Sequence, residues 1–576
     1  MRIRFADLFS RILITLALCL TGVRFVNAQS GDGAQAVQAA QEAAQAAQVD
    51  EIFAQFVKPG SPGCAVGVYR DGRLLYSRGY GEADLERGVR ITPATVFLIG
   101  STAKQFTAMS VWLLARQKRL SAEDDIRKYI PEMPVYGAPV TIRHLLHHTS
   151  GIRDYTDLLE LAGHRVEDVS TNADILGLIV RQKKLNFPTG TAHQYANSNY
   201  ILLAEVVKRV SGQTLREFAA ANIFDPLGMK NTQYVDDHTL VIHARAMAYA
   251  AKGEGKYAIS MTNAERIGAG GLYTTVEDLA RWDRNFYTGD VGGMDLLGNM
   301  LSPGRLSDGK ALAYASGLML DTYRGVPVVR HSGSLAGYRA DFLRFPTLRF
   351  SVAALCNVPS NPRPERLTER VAEVYLNERL SKAENATSRT DPTNEKPVAL
   401  TAEQMAGALG DYWNPKTGEV RQMVLRNGQP VYVIDSWSRA RLNAFAPMRF
   451  RFGRNEINVT PTRHGKRLLT LRWHDGRVES YEELRRVNLT AAQLAKYAGR
   501  FHSAELGVEY VLEPKAGGLL VKRKNQEDRQ LLPTAADSFS EGSIRIRFLR
   551  DGRGRVSTFL FGEGDVSDIQ FKRDCR

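Results

Sequence analysis

A lysine set where water has little access constrains this chain more than any other feature. From Ser101 to Arg116 the residues Phe106, Met109, Val111, Trp112, Leu113 and Leu114 leave hardly a polar face, so a helix there must be buried. Lys104 sits inside that run, three residues after Ser101, which puts an amine and a hydroxyl on one face a turn apart. Burial disfavours the ammonium, lowers its pKa and frees a lone pair to take the serine proton. The predicted helix start at Ser101 adds backbone N–H groups and a positive dipole end, which favour developing negative charge.

Such a helix needs a large domain around it, and 576 residues at roughly 100–200 per domain predict three or four. With 44% hydrophobic and 24% charged residues, the chain is neither disordered, collagenous nor a multi-span membrane protein. The net charge is 76 − 62 = +14. No basic run is interleaved with stacking aromatics, so a nucleic-acid partner is set aside in favour of a solvated basic surface, with weak attraction to an anionic envelope polymer as a lesser reading.

Residues 1–28 read as a signal peptide. Arg2 and Arg4 precede an apolar run from Ile12 to Leu20, about half of what spans a bilayer, and Val26-Asn27-Ala28 offers a cleavage site before Gln29. Leu18 before Cys19 does not suit lipidation. The expectation is an exported protein, periplasmic or extracellular, with no membrane anchor once the leader is removed. Cys64, Cys356 and Cys575 remain, too few and too dispersed for a metal knuckle or a disulfide framework. Cys64 and Cys356 lie in apolar strand-like stretches and are expected to be two buried thiols ahead of a disulfide.

An Ala/Gln-rich lead-in over 29–48 predicts a surface helix or disorder. Cys64–Arg70, Asp71-Gly72 and Arg73–Gly79 predict a hairpin, since Asp-Gly suits the positive φ angles of a tight turn. Short strands are predicted over 328–333, 340–344 and 350–357, and the mixture of helices and strands gives an α/β domain over 49–380. Residues 381–399 are polar and read as a linker. Beyond it the chain repeats itself. Leu400-Thr401-Ala402-Glu403-Gln404-Met405 matches Leu489-Thr490-Ala491-Ala492-Gln493-Leu494, and Gly410-Asp411-Tyr412 matches Gly499-Arg500-Phe501 at the same offset. Two small antiparallel β-barrels in tandem, 400–488 and 489–576, account for this repeat.

Taken alone, the Ser-x-x-Lys spacing is weak, because Ser307-Asp308-Gly309-Lys310 shares it in a turn context. Order and flanks carry the weight: Gly100-Ser101-x-x-Lys104, then Tyr195-x-Asn197 after Phe187-Pro188-x-Gly190, then His331-x-Gly333 on a strand. Together these resemble the serine penicillin-recognising family, which includes class C β-lactamases, DD-peptidases and related esterases and aminopeptidases. The stretches Leu145–Ile152 and Gly270–Thr275 fit the same family, and the tandem barrels are similar to those of its D-stereospecific aminopeptidases.

The resemblance implies a β-lactamase/transpeptidase-like α/β (α+β) domain and a cofactor-free, metal-free acyl transfer. Ser101 attacks a carbonyl, Lys104 and Tyr195 move its proton, Asn197 positions Lys104 and the substrate amide, and His331 closes the site. The oxyanion sits between the N–H groups of Ser101 and Ser334, beside Gly333. A phenol near a cationic Lys104 is expected to ionise more easily. The β-lactamase pattern has Lys-Thr-Gly where this chain has His331-Ser332-Gly333, and a mostly neutral imidazole holds a carboxylate less firmly.

The expected substrate is therefore a small molecule or peptide presenting an amino end, in particular a D-amino-acid peptide or amide. A carboxylesterase, then a β-lactamase, are alternatives, as is a catalytically silent envelope sensor. Arg339 reads as a substrate contact or a plain surface residue. His144, His147 and His148 share helical spacing suited to a metal but lack an intervening Glu, so a structural role is preferred.

Overall fold

The computed structural model describes residues 37–574 apart from 254, 361, 381–396, 416, 427, 434–438, 454, 464 and 474–476. The leader at 1–28, most of the linker, and Cys575 lie outside the described residues. The lead-in is helical over 37–53.

Six strands form one antiparallel sheet: β1 (Cys64–Arg70), β2 (Arg73–Tyr80), β3 (Met319–Tyr323), β4 (Val326–Leu335), β5 (Tyr338–Phe345) and β6 (Phe350–Cys356), in the order β3-β4-β5-β6-β1-β2. The β1–β2 hairpin turns at Asp71 and Gly72, with φ of 55° and 72°, the left-handed pair that Asp-Gly favours. Alternation along the strands separates two cores. Val66, Val68, Leu343 and Val352 face helix 37–53 and helix Pro364–Leu376, through Phe53, Leu367 and Val371. Ala65, Tyr69, Phe342 and Ala353 face a larger helical body that contains Trp282. At its centre lies α1 (Lys104–Arg116), buried at every position from Lys104 to Trp112, packed against α2 (Asn197–Ser211).

β1 and β6 pair with Cys64 opposite Cys356, and the two are joined as a disulfide rather than held as separate thiols. The sequence placed both in strands, but only the pairing register shows that they meet. The bridge lies fully buried and closes 292 residues of chain. Replacing both cysteines with alanine is expected to destabilise the catalytic domain by about 2–5 kcal/mol, seen as a lower thermal midpoint that reductant no longer moves.

The repeat beyond the linker holds in detail. Helices Ala402–Ala406 and Ala491–Ala495 each begin with a capping box, Thr401 with Gln404 and Thr490 with Gln493. Each leads into a strand, Gly410–Trp413 and Gly499–Ser503, whose aromatic Tyr412 or Phe501 is fully buried. The second unit is a closed eight-stranded barrel. The first is a nine-stranded sheet whose two end strands, Arg439–Arg441 and Asn443–Ala446, are joined through Leu442, so it is nearly closed.

The two units dock differently. The aromatic core of the second barrel is continuous with that of the catalytic body, whereas the first has a core of its own. At the seam, Arg153 and Glu505, both buried, form an ion pair of 2.9 Å, and Tyr510 donates to the Leu161 carbonyl at 2.8 Å.

Candidate active site

Ser101 does not open the α-helix, as the sequence suggested. It lies one turn earlier, in a 3₁₀ turn Gly100–Ala103 that Lys104 continues into α1. The turn is entered at Gly100 with φ of 51°, and a side chain there would collide with the backbone N of Ser334 at 2.6 Å. Gly333 meets the other side of the same contact, where an added Cβ would sit 1.9 Å from the Ile99 carbonyl and 3.1 Å from Ser101 N. Glycine at both positions lets β4 lie directly on the 3₁₀ turn. This brings the backbone nitrogens of Ser101 and Ser334 into the same close contact between the turn and β4.

Lys104 is fully buried, and its Nζ has three neighbours: Ser101 Oγ at 3.0 Å, Asn197 Oδ1 at 2.8 Å and the Ala269 carbonyl at 2.8 Å. Asn197 and Ala269 only accept at those atoms, so they take both N–H bonds of a neutral amine and leave its lone pair facing the Ser101 hydroxyl. Burial lowers the Lys104 pKa to about 7, against a smaller upward pull from Asp154. The amine is thereby poised to act as a base near neutral pH.

Asn197 begins α2, and its orientation is imposed by Asp154, a residue that no sequence motif singles out. One Asp154 carboxylate oxygen accepts from the Asn197 backbone N–H at 2.5 Å and from its side-chain amide at 3.0 Å, which turns Oδ1 toward Lys104. The other oxygen caps the helix Tyr155–Leu161.

Tyr195 is held by the preceding loop. Gly190 adopts φ of 81° and donates to the Thr149 carbonyl at 2.8 Å, and Gln194 N–H donates to the His148 carbonyl at 3.0 Å. The Tyr195 ring then lies 4.3 Å from that of His148 and 4.8 Å from Lys104 Nζ, with its hydroxyl near Ser101. The residue is 37% exposed, at the mouth of the cleft. Contrary to the expected easier ionisation, its pKa is raised, first by burial and then by Asp154. The phenol therefore stays protonated, while the neighbouring amine is the group whose pKa is lowered.

His331 faces the same cleft from β4, its ring 6.1 Å from that of Tyr195. Burial, then the Lys104 charge, push its pKa down to about 3, so it is neutral throughout the physiological range. Arg339 is drawn back onto its own strand by the Ala336 and Tyr338 carbonyls, at 2.7 and 2.6 Å. The three histidines at 144–148 do not converge on a metal. His144 Nδ1 bonds Thr141 in a capping box, while His148 bonds Tyr314, Asn199 and the Ala196 N–H. Among the described residues the one metal-like cluster is Asp237, His238 and Glu265.

Comparison with known proteins gives the family of the chain. The family model described as Beta-lactamase matches residues 49–376. The D-aminopeptidase of Cereibacter sphaeroides strain KD131 is 28% identical over 466 residues, covering 79% of this chain and 82% of that protein. The D-aminopeptidase of Brucella melitensis biotype 2 is 25% identical over 533 residues, covering 89% and 96%. An octameric penicillin-binding protein homologue from Pyrococcus abyssi superposes with a TM-score of 0.53 at 22% identity, over 76% of this chain and 99% of that one, a likeness of fold. The chain belongs to the Beta-lactamase family and is a serine hydrolase of that fold.

Proposed function

We propose that this member of the Beta-lactamase family is an exported amidohydrolase that acts through an acyl-enzyme at Ser101 on peptides or amides of D-amino acids presenting a free amino end. The observation that carries the mechanism is the buried Lys104 amine 3.0 Å from Ser101 Oγ. In this reading the Ser101 proton passes to Lys104 as Oγ bonds to the substrate carbonyl carbon. The oxyanion is held by the Ser101 and Ser334 N–H groups. The proton then returns through the Tyr195 hydroxyl to the leaving amine as the C–N bond breaks, and water discharges the ester by the same route reversed.

The preference for an amino end rests on charge. His331 supplies no cation for a substrate carboxylate. Close to Asp154, which holds Asn197, the Asp157 carboxyl is pushed up to about 7, by burial first, then by Asp154 and by Asp565 of the second barrel. Such surroundings favour an ammonium over a carboxylate. The similarity to D-aminopeptidases supports the same choice. Export is supported by the leader-like residues 1–28 and by the Cys64–Cys356 disulfide, a bond typical of oxidising compartments.

A panel of D-alanine amide, D-Ala-D-Ala peptides, p-nitrophenyl esters and nitrocefin, assayed with wild type and Ser101→Ala, tests the reading. D-alanine amide is expected to lead and the alanine variant to lose all four activities. Nitrocefin turnover above the rest would overturn the substrate assignment, and a wild-type protein unlabelled by fluorophosphonate, read by intact mass, would overturn the nucleophile.

A further inference from the structure

Between the Tyr195-Ala196-Asn197 turn and β4 runs a line of polar groups that the mechanism above does not use. His148 Nδ1 receives the Ala196 N–H at 3.1 Å and the Asn199 side-chain amide at 3.0 Å. The Asn199 oxygen is itself occupied by the Ser150 hydroxyl at 2.6 Å, so the amide nitrogen is the group that faces His148. Two donors on Nδ1 leave no place for a proton there, and His148, buried and neutral, carries it on Nε2. That Nε2–H donates to the Tyr314 hydroxyl at 3.2 Å, and Tyr314 lies 3.2 Å from His331 Nε2.

The far end imposes the same direction. His331 Nδ1 is 2.7 Å from the Ser332 carbonyl, which only accepts, so Nδ1 bears the proton and Nε2 a lone pair. Tyr314, its oxygen already accepting from His148, donates to that lone pair. Every bond from the Ala196 N–H to the Ser332 carbonyl points one way. The backbone at His148 is in the left-handed region, with φ of 55°, uncommon for a residue with a side chain and sustained where the surroundings hold it.

We propose that Tyr314 is a positioning residue that locks His331 in its Nδ1–H tautomer, with Nε2 occupied by protein, so that the imidazole presents neither a hydrogen-bond donor nor a charge to substrate. His331 then serves as a neutral wall of the cleft, and selection against substrate carboxylates is built into the hydrogen-bond chain as well as into the choice of histidine. The tautomer follows from the hydrogen-bond geometry alone; its consequence for substrate choice rests on the serine-hydrolase reading above.

The test is the imidazole ¹⁵N spectrum of full-length wild type, with His331 identified by its loss in His331→Gln. The expected result is a protonated Nδ1 and an unprotonated Nε2. A proton on Nε2 would overturn the proposal without touching the assignment of Ser101, and this readout does not depend on any variant folding. In Tyr314→Phe the Nε2 resonance is expected to move to a position typical of an unbonded lone pair. A bare Nε2 lone pair still only accepts, so N-acetyl-D-alanine is expected to inhibit this variant no more strongly than it does wild type. A folded variant whose Nε2 resonance stays in place would show that Tyr314 does not hold His331.

Discussion

Replacing Lys104 with alanine is expected to lower kcat/KM on D-alanine amide by about 10²–10⁴-fold, the usual loss on removing a positioned base. The substitution leaves the nucleophile, the oxyanion donors and Tyr195 in place but removes the one amine in contact with Ser101 Oγ. The wild-type pH profile carries the matching signature. The active form is the neutral amine, and burial sets the Lys104 pKa to about 7. Activity should therefore rise with pH through about 7 and level off above it, the opposite sense to a catalytic acid. Steady-state rates between pH 5 and 9 decide this. A variant retaining most of its activity, or a wild-type profile flat across neutrality, would assign the proton to another group.

Glu505→Ala is expected to act at a distance, and heavily. Its carboxylate accepts from Arg153 at 2.9 Å and from the Lys183 and Gln570 N–H groups at 3.1 Å each, all at the seam between the second barrel and the catalytic body. The Arg153 side chain is 0% exposed, so losing Glu505 strands a buried charge, at a cost of about 3–5 kcal/mol. Arg153 is chain neighbour to Asp154, which orients Asn197 against Lys104. The variant should thus lose thermal stability and also kcat, while Glu505→Leu combined with Arg153→Met should recover most of the stability. Calorimetry paired with kcat on D-alanine amide distinguishes the outcomes. An unchanged first transition and unchanged kcat would show that the barrel is a passive appendage.

That seam marks the limit of what local sequence encodes. The tandem repeat, its capping boxes and its buried aromatics follow from local patterns, because a cap or an alternating strand is written within ten residues. Which copy docks on the catalytic body does not follow. It depends on Glu505 meeting Arg153 across 352 residues, and a lone Glu between Ala504 and Leu506 carries no mark of that. The disulfide is similar. Both strands were legible, but pairing is a matter of register between segments far apart in the chain.

Ser101, Lys104, Tyr195, Asn197 and His331 could be picked out because nucleophile, base and partners keep fixed spacings within short segments, and because a lysine is costly to bury in an apolar helix unless its amine is put to use there. The expectation for Tyr195 failed, since a neighbouring amine was weighed without the burial that outweighs it. Asp154 and Tyr314 stayed invisible, and the task of His148 unread, for a different reason. Each acts through a hydrogen bond to a group brought near only by folding, and Asp, His and Tyr are ordinary residues until a partner's lone pair or N–H is fixed opposite them. Local composition thus determined the order of the elements and offered Ser101 and Lys104 as candidates that the joint motifs and the family resemblance singled out, since those are set by side-chain chemistry and periodicity along short stretches. Protonation states, the direction of each hydrogen bond and the docking of the second barrel were decided by tertiary structure, since desolvation and hydrogen-bond geometry are properties of assembled neighbours.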